Sequence, residues 1–131
     1  MPGLHHLDVW ISHPDQLSTW AWLFERLGWT MDATWPGGAT WAPAPAGTPY
    51  ITVTTTPTVV DAAHDRRRPG VNHLAFDGGP RSSVDAVMVG APAHGWTPLY
   101  ADRYPHAGGP QHYAGWLENA NGFKIEIVAE D

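Results

Sequence analysis

The chain contains no cysteine, so disulfide bonds and thiolate catalysis are excluded. Charged residues make up only 15% of its 131 residues, and acids outnumber bases to give a net charge of −6. Nucleic acids and anionic membranes select basic surfaces, so we expect neither as a partner. The sequence has no apolar run of about 18 residues that would predict a transmembrane helix. It also begins without the basic and apolar regions of a signal peptide, so we expect a cytoplasmic protein.

Apolar side chains are plentiful. The hydrophobic fraction is 43% and includes eight Trp, which is ample for a core. There are 14 Gly and 13 Pro, which indicate many loops. The length fits a single domain over residues 1–131, or two small half-modules that share one core.

A seven-residue pattern occurs twice in the chain. Residues 3–9 read Gly-Leu-His-His-Leu-Asp-Val, and residues 70–76 read Gly-Val-Asn-His-Leu-Ala-Phe. His6 therefore matches His73, which lies 67 residues later. If the two halves of the chain share one fold, these two histidines occupy equivalent positions.

The residues that follow each copy predict the same order of elements. In the first half, apolar residues alternate with period two in the strands and recur at helical spacing between them. A serine, Ser12, is the expected helix cap. The predicted elements are a strand at 4–11, a helix at 14–27 and strands at 29–35, 38–43 and 49–56.

Residues 57–69 are a connector in which Arg66, Arg67 and Arg68 are expected to be solvated, with an interface contact as the alternative. The second half then repeats this order. Ser82 or Ser83 is expected to cap its helix, and Pro92 to end it. Strands are predicted at 71–77, 96–100, 112–117 and 123–129. The sequence therefore predicts an α+β fold in which two βαβββ modules, residues 3–56 and 70–131, form a curved mixed sheet around a cleft.

Metal-binding side chains fall on the strand faces that do not pack on the helices. By strand parity, His6, His73 and Glu126 share the cleft side with Thr52. A charged residue between apolar neighbours, as Glu126 is, is costly to bury unless it is paired or binds a metal. Two imidazoles and one carboxylate form the facial triad of open metal sites. The alternative is that these are ordinary half-exposed strand residues.

The element order, the paired Gly-x-x-His-Leu starts and the ending Trp-Leu-Glu-Asn-Ala-Asn-Gly-Phe-Lys-Ile-Glu-Ile-Val resemble the vicinal oxygen chelate superfamily. This superfamily includes glyoxalase I, extradiol dioxygenases, fosfomycin-resistance transferases and bleomycin-binding proteins. The resemblance covers essentially the whole chain. It implies one divalent metal ion, with Fe, Mn, Ni and Zn as alternatives, bound by His6, His73 and Glu126.

The sequence departs from two patterns within this superfamily. Thr52 stands where the glyoxalase I pattern has a fourth, carboxylate ligand. Ring-cleaving dioxygenases have a Tyr ten residues before the ligand Glu, and that position here is Trp116. The residues therefore select no single activity within the superfamily.

Strand parity also predicts roles for other side chains. Asp8 and His112 lie towards the predicted cleft and are our candidates for moving a proton. His5 points to the opposite face and is expected to be structural. The residues expected to line the substrate are Trp10, Tyr50, Thr52, Thr54 and Trp116.

Two functions follow from these assignments. The first is a metal-dependent lyase, isomerase or dioxygenase that acts on a small oxygenated molecule. The second is a metal-free resistance protein that sequesters a drug, as bleomycin-binding proteins do; the many Trp and the negative charge suit a cationic or planar ligand. In either case the partner is a small molecule, and modules of this kind are compatible with a homodimer.

Overall fold

The computed structural model of the protein describes residues 2–43 and 47–130. The chain divides between Ala62 and Ala63 into two compact units, called here the first and the second unit. Each contains an α-helix and a four-stranded sheet, which confirms the predicted α+β fold with two βαβββ modules. Within this described part, none of the helices is long and apolar enough to cross a lipid bilayer.

The sheet of the first unit has the spatial order β1-β4-β3-β2. Strand β1 runs parallel to β4, and the other neighbours are antiparallel. The elements are β1 (His6–Trp10), α1 (Leu17–Arg26), β2 (Thr30–Trp35), β3 (Gly38–Ala42) and β4 (Tyr50–Thr54).

Helix α1 covers one face of this sheet. Its Phe24 is fully buried, and the Phe24 ring stacks on that of Trp41 at 4.8 Å. Ile51 lies opposite Trp41 in the sheet, and both are buried with Val53. The face of β1 and β4 that carries His6, Asp8 and Thr52 is therefore the one turned away from the helix.

The start of α1 differs from the prediction. Pro14–Gln16 forms a turn of 3₁₀-helix ahead of α1. The Nδ1 of His13, rather than Ser12, accepts the first free N–H, from Asp15 at 3.2 Å. Ser12 instead accepts a hydrogen bond from the Gln16 side chain at 2.9 Å. The imidazole of His13 thus replaces the predicted serine cap.

The second unit has the equivalent order β5-β8-β7-β6, again with a parallel outer pair. Short 3₁₀-helices lie at Ala91–His94 and Ala101–Arg103. Helix α2 buries Val84 and Val87 on the sheet. The elements are β5 (Leu74–Asp77), α2 (Arg81–Gly90), β6 (Trp96–Leu99), β7 (Ala114–Asn119) and β8 (Lys124–Val128).

Several boundaries in the second unit depart from those predicted. The N-cap of α2 is Pro80, which has no capping side chain, instead of Ser82 or Ser83. The helix ends at Gly90, just before the 3₁₀-turn that contains Pro92, as its ring requires. His112 precedes β7 and does not lie within it.

One arginine of the connector, Arg66, is less exposed than predicted. The guanidinium Nε of Arg66 lies 2.8 Å from the Glu118 carboxylate on β7, and both side chains are partly buried. Arg67 and Arg68 contact Asp65 at 3.5 and 3.7 Å from exposed positions, where ion pairs contribute little. The prediction of a solvated connector was therefore wrong for Arg66.

A carboxylate on α2 anchors the segment between β6 and β7. The hydroxyls of Tyr104 and Tyr113 both donate to Asp85 Oδ1. These three residues line a cavity of about 520 Å³. The hydrogen bond from Tyr104, and then that from Tyr113, holds the pKa of Asp85 below its ordinary value of 3.8. Burial and the same carboxylate raise the pKa of Tyr104.

Asp85→Asn is expected to lower the free energy of unfolding by about 1–2 kcal/mol at pH 7, because two hydroxyls lose a charged acceptor. The folded-state pKa of Asp85 is depressed, so its contribution is present above pH 3.8 and is lost as the pH falls through the folded value. Denaturant unfolding at pH 7 and at a series of pH values below 3.8 should show the difference from wild type shrinking as the pH falls. Asp102→Asn, on the neighbouring 3₁₀-turn, should change stability by less than about 0.5 kcal/mol. An equal loss in both variants, or a gap that persists in acid, would contradict this role.

Candidate functional site

A buried carboxylate on β8 is held by two imidazoles. Glu126 has only 6% of its surface exposed. Its Oε1 lies 3.3 Å from Nε2 of His73, and its Oε2 is hydrogen-bonded to Nε2 of His112. In register with Glu126 on β7 is Trp116, whose ring meets that of His73 edge-on at 5.1 Å. The second unit thus brings together four residues that were selected from the sequence.

The imidazole of His73 is oriented by the residue before it. Asn72 Oδ1 lies 2.8 Å from His73 Nδ1, which makes Nδ1 the hydrogen-bond donor. The Asn72 amide in turn donates to the backbone oxygen of Arg66 at 3.0 Å. This leaves His73 Nε2 directed at Glu126, as a ligand nitrogen fixed by an outer hydrogen bond would be.

The first unit has a similar arrangement at the matching residues. Nδ1 of His5 lies 2.9 Å from Nδ1 of His6, and the His6 ring stacks on Tyr50 at 4.8 Å with an interplanar angle of 4°. His5 precedes β1, so the strand alternation that predicted an opposite orientation does not constrain it. The predicted orientation of His5, towards the strand face opposite to that of His6, was therefore wrong.

The pairing registers support the match between the two units. Leu7 pairs with Ile51 in the first unit, and Leu74 pairs with Ile125 in the second. One residue further along the last strands, Thr52 therefore corresponds to Glu126. The Thr52 hydroxyl is hydrogen-bonded to that of Thr40 at 2.8 Å.

The remaining candidates of the first unit lie on the same sheet face with different exposure. Asp8 is exposed and pairs in register with Thr52. Trp10 is 47% exposed, which suits a side chain that contacts a ligand. Thr54 is only 8% exposed, and its hydroxyl accepts from the Trp35 indole at 3.1 Å and donates to a backbone oxygen. Its hydroxyl is therefore already used within the unit.

The donor atoms suit a divalent cation, but the Glu126 carboxylate already contacts two imidazoles. Imidazole and carboxylate are typical ligands of Mn, Fe, Ni and Zn. Across residues 2–43 and 47–130, no set of three or more His, Asp and Glu side chains is arranged to hold a metal ion as it stands. In the second unit each oxygen of Glu126 contacts an imidazole. Metal binding there requires these contacts to open.

Two residues near Glu126, Lys124 and Tyr100, were not among the site residues predicted from the sequence. Lys124 lies two residues before Glu126 on β8 and is 9% exposed. Its Nζ donates to the Tyr100 hydroxyl at 2.9 Å and lies 4.8 Å from the centre of the Trp116 ring. Strand parity places Lys124 on the cleft side, whereas only the structure locates Tyr100, which follows β6.

Comparison with known proteins supports one family. No protein-family model matches the chain. It is 31% identical over 127 residues to the uncharacterised protein YqjT of Bacillus subtilis, and the match covers 96% of this chain and 98% of YqjT.

Solved structures show the same fold. A proposed glyoxalase from Bacillus halodurans is 35% identical with a TM-score of 0.86, and the match covers 96% of this chain and 94% of that one. The fosfomycin resistance protein FosX from Listeria monocytogenes, solved with Mn(II) and sulfate, has a TM-score of 0.66. It is 15% identical, covering 100% of this chain and 92% of FosX, so that likeness concerns the fold alone. The repeat, the strand order and these matches show that the chain belongs to the vicinal oxygen chelate superfamily of glyoxalase-like proteins.

Proposed function

We propose that this protein is a metal-dependent enzyme that acts on a small oxygenated molecule. The observation that carries the proposal is the buried Glu126 carboxylate, which both His73 and His112 contact. A buried carboxylate is costly unless it is paired or binds a cation. The imidazoles around it offer nitrogen ligands, whereas a structural ion pair would normally use Arg or Lys.

His6, His73 and Glu126 are the proposed metal ligands. The fold neighbour FosX contains Mn(II), which such nitrogen and oxygen donors suit. When bound, the cation would supply Lewis-acid polarisation of two neighbouring substrate oxygens. Asn72 and His5 hold the Nδ1 atoms of the two histidines, so that each presents Nε2.

His112 and Asp8 are the proposed proton carriers. His112 already shares a hydrogen bond with Glu126, so its Nε2 lies where a proton can be exchanged beside the metal ligands. Asp8 is exposed on the sheet face of the first unit, next to Thr52. Tyr50, Trp10 and Trp116 are proposed to contact the substrate.

Metal analysis tests this function. Protein reconstituted with Mn, Fe, Ni or Zn is expected to take up about one equivalent, since the proposed ligands His6, His73 and Glu126 amount to one set per chain. His73→Ala and His6→Ala should each lose it, whereas His13→Ala, an exposed histidine, should not. Uptake below about 0.2 equivalents with every metal, or uptake unchanged in His73→Ala, would overturn the proposal.

A second candidate function rests on two tryptophans in the first unit. Trp10 and Trp35 are 47% and 39% exposed. They lie in one row across the sheet, with Thr54 and Gly38 between them. Such a surface suits sequestration of a planar or cationic drug without metal. Quenching of tryptophan fluorescence by such ligands that is unchanged by a chelator would favour this alternative.

A further inference from the structure

Lys124 is a buried cation without a carboxylate partner. Its exposure is 9%, and within residues 2–43 and 47–130 no Asp or Glu forms an ion pair with it. Glu118, its neighbour on β7, binds Arg66 at 2.8 Å instead. Burying an ammonium group is costly unless an anion or several acceptors compensate it. The described partners of Lys124 are one hydroxyl, that of Tyr100, and the ring faces of Tyr100 and Trp116, at 5.1 and 4.8 Å.

The surroundings of Lys124 contain further hydrogen-bond donors. The Tyr100 hydroxyl accepts from Lys124 at 2.9 Å, so its own hydrogen is available to an acceptor. The ammonium keeps two more N–H groups. Trp116 Nε1 is buried and has no hydrogen-bond partner within the described part of the chain. These groups are hydrogen-bond donors, which suit a negatively charged acceptor.

Positive charge is concentrated around Tyr100. The Arg103 guanidinium lies 5.2 Å from the centre of the Tyr100 ring, and Lys124 Nζ lies 5.1 Å from it. The hydrogen bond from Lys124, aided by the charges of Lys124, Arg66 and Arg103, holds the pKa of Tyr100 below its ordinary value. Arg66 is paired with Glu118, so Lys124 and Arg103 are the two cations that lie at the Tyr100 ring, in a chain with a net charge of −6.

The backbone of Tyr100 is held in a costly conformation. Its φ is +56°, in the left-handed region, where a residue with a side chain is strained by about 1–2 kcal/mol. Strain of this kind persists where the surrounding structure fixes it, and it is often found at functional sites. Here it places the phenol against Lys124 and Trp116.

We propose that Lys124 and Tyr100 bind a carboxylate group of the substrate, beside the metal ligand Glu126. Lys124 and Glu126 are alternate residues of one strand, so their Cα atoms lie about 7 Å apart on the same face. The inference rests on the proposed function and narrows its substrate class to small molecules that carry a carboxylate in addition to two neighbouring oxygens.

Benzoate and its neutral isostere benzamide test the site in metal-free protein. Isothermal titration should show that benzoate binds more tightly than benzamide to wild type. Lys124→Met should weaken benzoate binding at least about tenfold, as loss of a charged hydrogen bond implies, and leave benzamide binding unchanged. Lys124→Arg should retain part of the affinity. Arg68→Gln, which removes an exposed cation, should bind as wild type does.

Several results would overturn the carboxylate site. They are equal binding of benzoate and benzamide, absence of benzoate binding, or equal losses in Lys124→Met and Arg68→Gln. If Lys124→Met fails to fold, Tyr100→Phe provides the same comparison, because it removes only the hydroxyl. The titrations use metal-free protein, so their outcome does not depend on metal uptake. Absence of metal uptake alongside Lys124-dependent benzoate binding would therefore overturn only the metal proposal.

Discussion

Glu126→Gln is expected to weaken divalent-metal binding by at least about 100-fold, as loss of an anionic ligand exceeds the effect of outer-shell changes. The side chain is 6% exposed, so its charge is poorly screened by water and interacts strongly with a cation. Glutamine has the same shape and can keep a hydrogen bond to an imidazole. The expected loss is therefore one of charge and donor strength, with little change in packing.

Glu118→Gln is the matched control, because it makes the same substitution on the neighbouring strand of the same sheet. The Glu118 carboxylate is already paired with Arg66 at 2.8 Å, so this variant should bind metal as wild type does. Isothermal titration with Mn²⁺ or Zn²⁺ measures both affinities. Similar affinities for Glu126→Gln and wild type, or equal losses in the two variants, would show that Glu126 is not a metal ligand.

The repeat in the sequence predicted the architecture because strand pairing follows side-chain alternation. A match of two short sequence segments, which aligns His6 with His73, was enough to align the rest of each module. The observed pairs Leu7–Ile51 and Leu74–Ile125 agree with that alignment. Period-two patterns carry this information, since a shift by one residue would turn every apolar side chain to the wrong face.

The contacts outside the strands could not be predicted in this way. His5 was expected to face away from His6, yet it contacts it, because it lies before the first strand residue. The ion pair between Arg66 and Glu118 joins residues 52 positions apart, and no local pattern signals it. Alternation holds only while the backbone is extended and paired.

Gly122→Ala is expected to destabilise the second unit strongly, because Gly122 lies against the backbone of the connector. Its φ is +87°, and a Cβ there would overlap the carbonyl oxygen of His64. That carbonyl cannot move freely, since His64 N donates to Asn121 at 2.8 Å and its ring stacks on Phe123 at 4.7 Å. His64 Nε2 also contacts the backbone oxygen of Val71, two residues before the proposed ligand His73, at 3.0 Å.

Gly28→Ala separates backbone strain from this overlap. Gly28 has a similar φ of +78°, but a Cβ there would meet nothing within 4 Å. The free energy of unfolding of that variant should fall by only about 1–2 kcal/mol, the cost of the left-handed conformation for alanine. For Gly122→Ala the free energy of unfolding, measured with denaturant, should fall by about 3 kcal/mol or more, because the cost of overpacking adds to the same backbone strain. Because His64 holds the chain just before His73, Gly122→Ala should also weaken metal binding, whereas Gly28→Ala should not. Equal effects of the two substitutions on stability would mean that contact with His64 does not restrict this turn.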